Sequence, residues 1–177
     1  EARGFFSGTA PEVRGQSPPH TPRWTLCINH SLRRTINREA NLREKNQDAV
    51  FVRVPKSHCA NAPQDFWLYP GQTLMAHVQV SKAVMNGMFY QVSGILDDTV
   101  EFEGGMSTSS THVPCIKLPL KFVAKNMRMV HALTIQSSQG RTLPGPVEII
   151  SKHPRFTRKH LMICLSRATE ASLVRVR

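Results

Sequence analysis

Hydrophobic positions change period twice along this chain. RWTLCIN, residues 23–29, is a short, nearly continuous apolar run of the kind that forms a buried strand. Directly after it, Leu32, Ile36 and Ala40 recur at intervals of four, which predicts one face of a helix over about 31–45. Asn29, His30 or Ser31 is placed to cap its start. A strand running straight into a helix is the unit from which α/β domains are built.

The middle third has a different rhythm. Residues 55–71 (PKSHCANAPQDFWLYPG) hold three prolines and read as a loop. Short β-like runs follow: TLMAHVQV, MFYQVSGI and TVEFE, with turn signals at Asn86-Gly87 and Asp97-Asp98. These predict a small antiparallel assembly, a barrel of about five strands. GGMSTSST, 104–111, closes it as a polar loop, and IKLPLKFVA, 116–124, resumes the extended pattern.

The last third returns to α/β. RMVHALT, 128–134, predicts one strand, 135–139 at most a helical turn, and PVEIIS, 146–151, a second strand. Thr157 is placed to cap a helix on which Leu161, Cys164 and Leu165 share a face. LVRVR, 173–177, alternates as a final half-exposed strand. Before all of this, residues 1–23, with four prolines and three glycines, read as a flexible lead-in. The organisation expected is one α/β domain over 24–54 and 112–177, carrying a β-rich insertion over 55–111.

Charge sharpens the picture. The net formal charge is +11. Residues 1–115 hold 11 Lys/Arg against 10 Asp/Glu, whereas residues 116–177 hold 12 against only Glu148 and Glu170. A field confined to one segment favours a polyanion, a nucleic acid or a nucleotide. No apolar run is long enough for a bilayer, and EARGFFSGTA lacks the charged and apolar segments of a secretion signal. Cys27, Cys59, Cys115 and Cys164 form no CxxC pair, so a zinc site is not expected, and a reducing intracellular setting, cytoplasmic or nuclear, is. His30, His131 and the His58-Cys59 pair match no metal-ligand spacing and read as structural.

Two stretches carry candidate chemistry. In HALTIQSSQGRTL, 131–143, a strand ends and small polar residues precede a glycine, a bend able to aim N–H groups and hydroxyls at a phosphate. Taken alone, such a bend is more often a plain structural loop. In FTRKHLMICLSRAT, 156–169, a helical stripe ends on Ser166-Arg167, and an arginine there is more often solvated or ion-paired.

Jointly and in order, these stretches resemble the carboxyl-terminal half of superfamily 1 DNA helicases, in the branch with the RecD-like and Pif-type enzymes. That family carries A-x-T-x-H-K-S-Q-G-x-T-L as motif V, which stands here as Ala132 to Leu143. It carries h-L-Y-V-A-L-S-R-[VA]-T as motif VI, similar to His160 to Thr169. CINHSLRRTIN, 27–37, looks like the family's strand–helix element, and NGMFYQV, 86–92, like a turn of its SH3-like inserted barrel. The resemblance covers about residues 24–177 and implies an α/β, RecA-like P-loop-NTPase-type domain with a parallel sheet, flanking helices and a small SH3-like insertion. It implies ATP with Mg2+ in a cleft shared with an amino-terminal RecA-like ATPase domain, and single-stranded DNA as partner. By the same resemblance, Arg167 would be the arginine finger, Gln139, Gly140 and Arg33 would meet the nucleotide, and Thr134, Gln136, Ser137 and Ser138 would lie along the DNA. Gln136-Ser137 replaces the family's His-Lys, removing a cation from that strand contact. No G-x-x-x-x-G-K-[ST] occurs, and no acidic magnesium motif follows a strand, so the chain reads as the second half of a motor, inactive alone.

A reading from another class stays beside it: a non-catalytic basic module binding single strands through stacked aromatics of its β-rich middle. Phe66, Trp67, Tyr69, Phe89 and Tyr90 are its candidates, and the competing role for each is barrel core.

Overall fold

The computed structural model describes residues 23–55, 64–79, 83–103 and 115–177. The expected lead-in (Arg23 apart), His58, Cys59 and the polar loop at 104–111 lie outside the described residues.

The first element is strand β1, Trp24–Cys27, buried along its whole length. It joins β9 (Ala132–Thr134), β10 (Val147–Ile149) and β11 (Val174–Val176) in a sheet ordered β11-β10-β1-β9. Every pairing in this sheet is parallel, as the resemblance implies. A parallel strand covered on both faces reads as an unbroken apolar run, which is why WTLC is legible.

Helix α1, His30–Glu44, follows β1, and Asn29 caps it by accepting the Leu32 N–H at 2.7 Å. Its buried face is only partly the expected one, since Ala40 alone of the three apolar positions is fully buried. Leu32 and Ile36 are only half-buried, while Arg33, Asn37, Ala40 and Asn41 face inward. The reason is hydrogen bonding to backbone. Asn37 donates to the Ala132 carbonyl at 3.0 Å and accepts the Ala132 N–H at 2.8 Å, acting on the open edge of β9 as a neighbouring strand would. One turn later, Asn41 makes the same pair of bonds with Trp67, at 2.7 and 2.8 Å. Trp67 lies in β3 (Phe66–Leu68), which pairs with β2 (Val50–Val52). Two asparagines four residues apart thus pin one helix to two sheets. The stretch read as an unbroken loop over 55–71 therefore contains a strand.

The third sheet is antiparallel, ordered β7-β6-β5-β4-β8. Its strands are β4 (Thr73–Ala76), β5 (Phe89–Leu96), β6 (Thr99–Glu103), β7 (Ile116–Pro119) and β8 (Met127–Met129). β7 and β8 come from after residue 111. Two expectations need correction here. The extended reading of 116–124 fails after Pro119: Leu120–Asn126 is helix α2, with Val123 and Ala124 buried at i+3 and i+4 from Leu120. The single strand expected over 128–134 is two strands in different sheets, β8 on β4 and β9 on β1, separated by Val130 and His131.

The apolar core follows this division. One cluster fills the antiparallel sheet around Tyr90, Phe102 and Met127. The other gathers Trp24, Leu26, Leu133, Ile149 and Cys164, and Met75 and Phe89 of the antiparallel sheet join it. The Trp24 and Phe89 rings lie 4.7 Å apart, locking the two sheets together. Among the described residues no helix is long and apolar enough to cross a membrane.

Candidate nucleotide and nucleic-acid interface

Strand β9 delivers the chain to the bend. At its carboxyl end Thr134 caps a single helical turn, α3 (Ile135–Ser138), accepting the Ser137 N–H at 3.2 Å. The Thr134 and Ser137 hydroxyls lie 2.7 Å apart, and Ser138 donates its hydroxyl to the Ile135 carbonyl at 2.8 Å. Thr134 and Ser138 are needed here because each satisfies backbone of a turn too short to satisfy itself, while Ser137 reaches the Thr134 hydroxyl. Gly140 then takes a φ of +74°, a left-handed conformation that glycine adopts without steric cost.

The candidate residues separate into two sets. Gln136, Gln139 and Gly140 are exposed and Ser137 is half-buried, so these form the outward surface of the bend. Thr134 and Ser138 are 3% and 0% exposed with their hydroxyls engaged inside the turn. Their side chains shape the bend from within. Arg33 is buried on α1, where its charge acts on Cys27, His30 and His77, and Cys27 stands opposite Thr134 in the parallel sheet.

Arg167 does meet the bend. Helix α4, Arg158–Leu165, starts in a capping box: Thr157 accepts the His160 N–H, and His160 Nδ1 accepts the Thr157 N–H at 3.1 Å. Cys164 is buried on its inner face, but Leu165 is 41% and Met162 66% exposed, so Leu165 leaves the face expected for it. Past the helix the chain runs beside the segment that follows the bend. Leu143 and Ala168 form a parallel bridge, and the Leu143 N–H donates to the Arg167 carbonyl at 2.8 Å. The Arg167 side chain turns back, donating from Nη1 to the Arg141 carbonyl at 3.4 Å and from Nε and Nη2 to Ser166 Oγ at 3.2 and 3.0 Å. N–H groups remain on both Nη atoms for a further acceptor.

Arg141 was not among the residues singled out from the sequence. Its Nε donates to the Gly87 carbonyl at 3.1 Å, tying the bend to the Asn86-Gly87 turn of the antiparallel sheet. Burial lowers its pKa from the ordinary arginine value. That turn is itself fixed: the Gly87 N–H donates to Ala76, and the Tyr90 hydroxyl accepts from Met85 N–H and donates to Ala83. Gly87 has φ +83°, and a Cβ there would collide with the Arg141 guanidinium. The Asn-Gly pair was the legible half of this contact; its arginine partner lies 54 residues away.

The aromatics of the stacking alternative are mostly interior. Phe66, Tyr69, Phe89 and Tyr90 are buried, and only Trp67 reaches the surface, beneath Lys45 at 4.1 Å. Among the described residues no group of three His, Cys, Asp or Glu side chains converges to hold a metal ion.

Comparison with solved structures places this fold. A Pif1 helicase pair unwinding forked double-stranded DNA matches with a TM-score of 0.63 and 19% identity, over 88% of this chain and 39% of that one. Pif1 helicase from Candida albicans gives a TM-score of 0.64 at 16% identity, over 92% and 47%. Bacteroides Pif1 in complex with ADP-AlF3 and single-stranded DNA gives 0.62 at 18%, over 93% and 42%. The chain shares a RecA-like α/β fold with these helicases and spans less than half the length of each. No protein-family model matches the sequence, and no curated protein matches it.

Proposed function

We propose that this chain is a motor domain of an ATP-dependent DNA helicase, the second of two RecA-like domains, with its antiparallel sheet as the SH3-like insertion. The observation that carries the reading is the contact between Arg167 and the segment leaving the Ser137–Gly140 bend. A guanidinium with free N–H capacity beside a small-residue turn fits the charge on a transferred phosphoryl group.

Mg2+ and ATP, held jointly with an amino-terminal RecA-like domain, would supply the phosphoanhydride and its charge neutralisation. Arg167 would donate to the phosphate oxygens from across the cleft, stabilising charge as it spreads over them. Gln139 and Gly140 would pack against the nucleotide, and Gln136 with Ser137 would meet the single-stranded backbone. Thr134 and Ser138 would hold the turn. Met162 and Leu165, exposed on α4 shortly before Arg167, would give the partner domain an apolar surface to close upon. The surplus of cations after residue 115 would supply a salt-sensitive attraction for DNA.

The chain alone is expected to hydrolyse no ATP, because the P-loop lysine and the magnesium ligands belong to the other domain. Joined to a P-loop RecA-like domain, it should gain DNA-stimulated ATPase activity. Robust DNA-stimulated hydrolysis by the isolated chain would overturn this reading.

A further inference from the structure

The bend lies at the carboxyl ends of the parallel strands. At their amino ends is a separate pocket of about 630 Å³, between the last turn of α1, the turn from β3 to β4, and the residues that link β8 to β9. Its volume falls in the range of small-molecule sites and far exceeds the space of one water.

Gln72 gives this pocket its chemistry. The residue is 2% exposed, and both atoms of its side-chain amide are buried with no hydrogen-bond partner. A carboxamide left this way is costly, since each polar atom loses water and gains nothing. Its backbone is fully used, donating to Tyr69 and accepting from Val92, so the fold holds the side chain here by main-chain bonds alone. His131 adds Nε2, also buried and without a partner. Its Nδ1 lies 3.6 Å from Glu44, whose carboxylate also approaches the Tyr69 hydroxyl at 3.5 Å. The acid is thereby committed inside the pocket. Arg43, whose Nη2 also pairs with Glu44 at 3.2 Å, and Arg23 stand among the lining residues as exposed cations.

We propose that this pocket binds a nucleobase, with its 5′-phosphate on Arg43 and Arg23. An amide presents one donor and one acceptor in a plane, the pattern that glutamine uses to read adenine through N6 and N7. His131 Nε2 supplies a third contact, and Val130 with Tyr69 gives the base apolar walls. The ligand is either an unstacked base of a bound single strand or a free nucleotide; the chemistry is common to both. The inference stands on the pocket and not on the motor reading, since nothing in it involves Arg167.

The test uses the whole chain with the Gln72 side-chain amide resolved by 15N NMR. Deoxynucleoside 5′-monophosphates are titrated in one arm and short single strands of one base type in the other. A ligand that fits moves the Gln72 Nε2 and His131 ring resonances. Response to strands alone assigns a base of a bound strand, and response to monophosphates alone assigns a free nucleotide. Gln72→Met keeps the side-chain length, removes both unpaired atoms, and should weaken binding about tenfold or more while raising the unfolding midpoint. Arg43→Ala, at an exposed position, should weaken the nucleotide but not the nucleoside. Gln72 resonances unmoved by every nucleotide and strand, or affinities indifferent to both Gln72→Met and Arg43→Ala, would overturn the proposal, as would resonances that respond only to added peptide.

Discussion

Gly87 shows how much one residue can decide here. Its left-handed φ strains any side chain placed there, and an added Cβ would push the Arg141 guanidinium aside. Gly87→Ala should cost about 1–3 kcal/mol in denaturant unfolding and release Arg141 from the turn. An unchanged unfolding midpoint would mean that the clamp is dispensable. His30 and His77 make a second test at this scale. Burial is the largest cause holding both below the ordinary histidine pKa, followed for His30 by Arg33, Arg34 and Arg128, and for His77 by Arg128 and Arg33. The folded state therefore binds fewer protons than the unfolded chain between the lowered folded pKa and the ordinary value near 6.5. Stability is full above the unfolded pKa near 6.5 and declines as pH falls through it. Urea unfolding at pH 7 and pH 5 should show that decline, and His30→Gln with His77→Gln should flatten it; a slope unchanged in the double variant would contradict the assignment.

At the scale of elements, helix α1 is the joint of the molecule. Asn37 and Asn41 each satisfy a buried or half-buried backbone group on both its donor and acceptor sides. Asn41→Ala should cost about 2–4 kcal/mol, because Trp67 loses both partners. Asn37→Asp should be comparably damaging, since a carboxylate oxygen would face the Ala132 carbonyl. Thermal unfolding of the two variants decides this, and near-native midpoints would rule out the stapling role. These asparagines also explain what the hydrophobic pattern could not convey. Spacing by apolarity selected Leu32 and Ile36, whereas the helix is seated by amides, which no hydropathy period detects. The break of residues 128–134 into two strands was hidden for a related reason: Met129, Val130, Ala132 and Leu133 are all buried, so the run stays apolar while the chain changes sheets. By contrast β1, the cap at Thr157 and the Asn86-Gly87 turn were all legible, because each depends on neighbours within a few residues. At the site, the exposed half of the bend was legible as a motif, while the inward turn of Thr134 and Ser138 follows from how tightly α3 is wound.

For the molecule as a whole, the parallel sheet sets the two ends of the chain's chemistry apart. Its carboxyl ends carry the bend and Arg167, its amino ends carry the Gln72 pocket, and the antiparallel sheet is held against both by Arg141 and by Trp24 on Phe89. The cations after residue 115 surround the first of these sites in sequence, and the function proposed above has that face close on a second domain. The central claim is that the Arg167 guanidinium acts on the phosphates of a nucleotide held by that second domain. The direct measurement is DNA-stimulated ATP hydrolysis by the assembled two-domain enzyme carrying Arg167→Ala, with binding to a single strand followed in parallel. The account predicts a fall in turnover of about a thousandfold with strand affinity largely kept; turnover within a few-fold of the unaltered enzyme would contradict it.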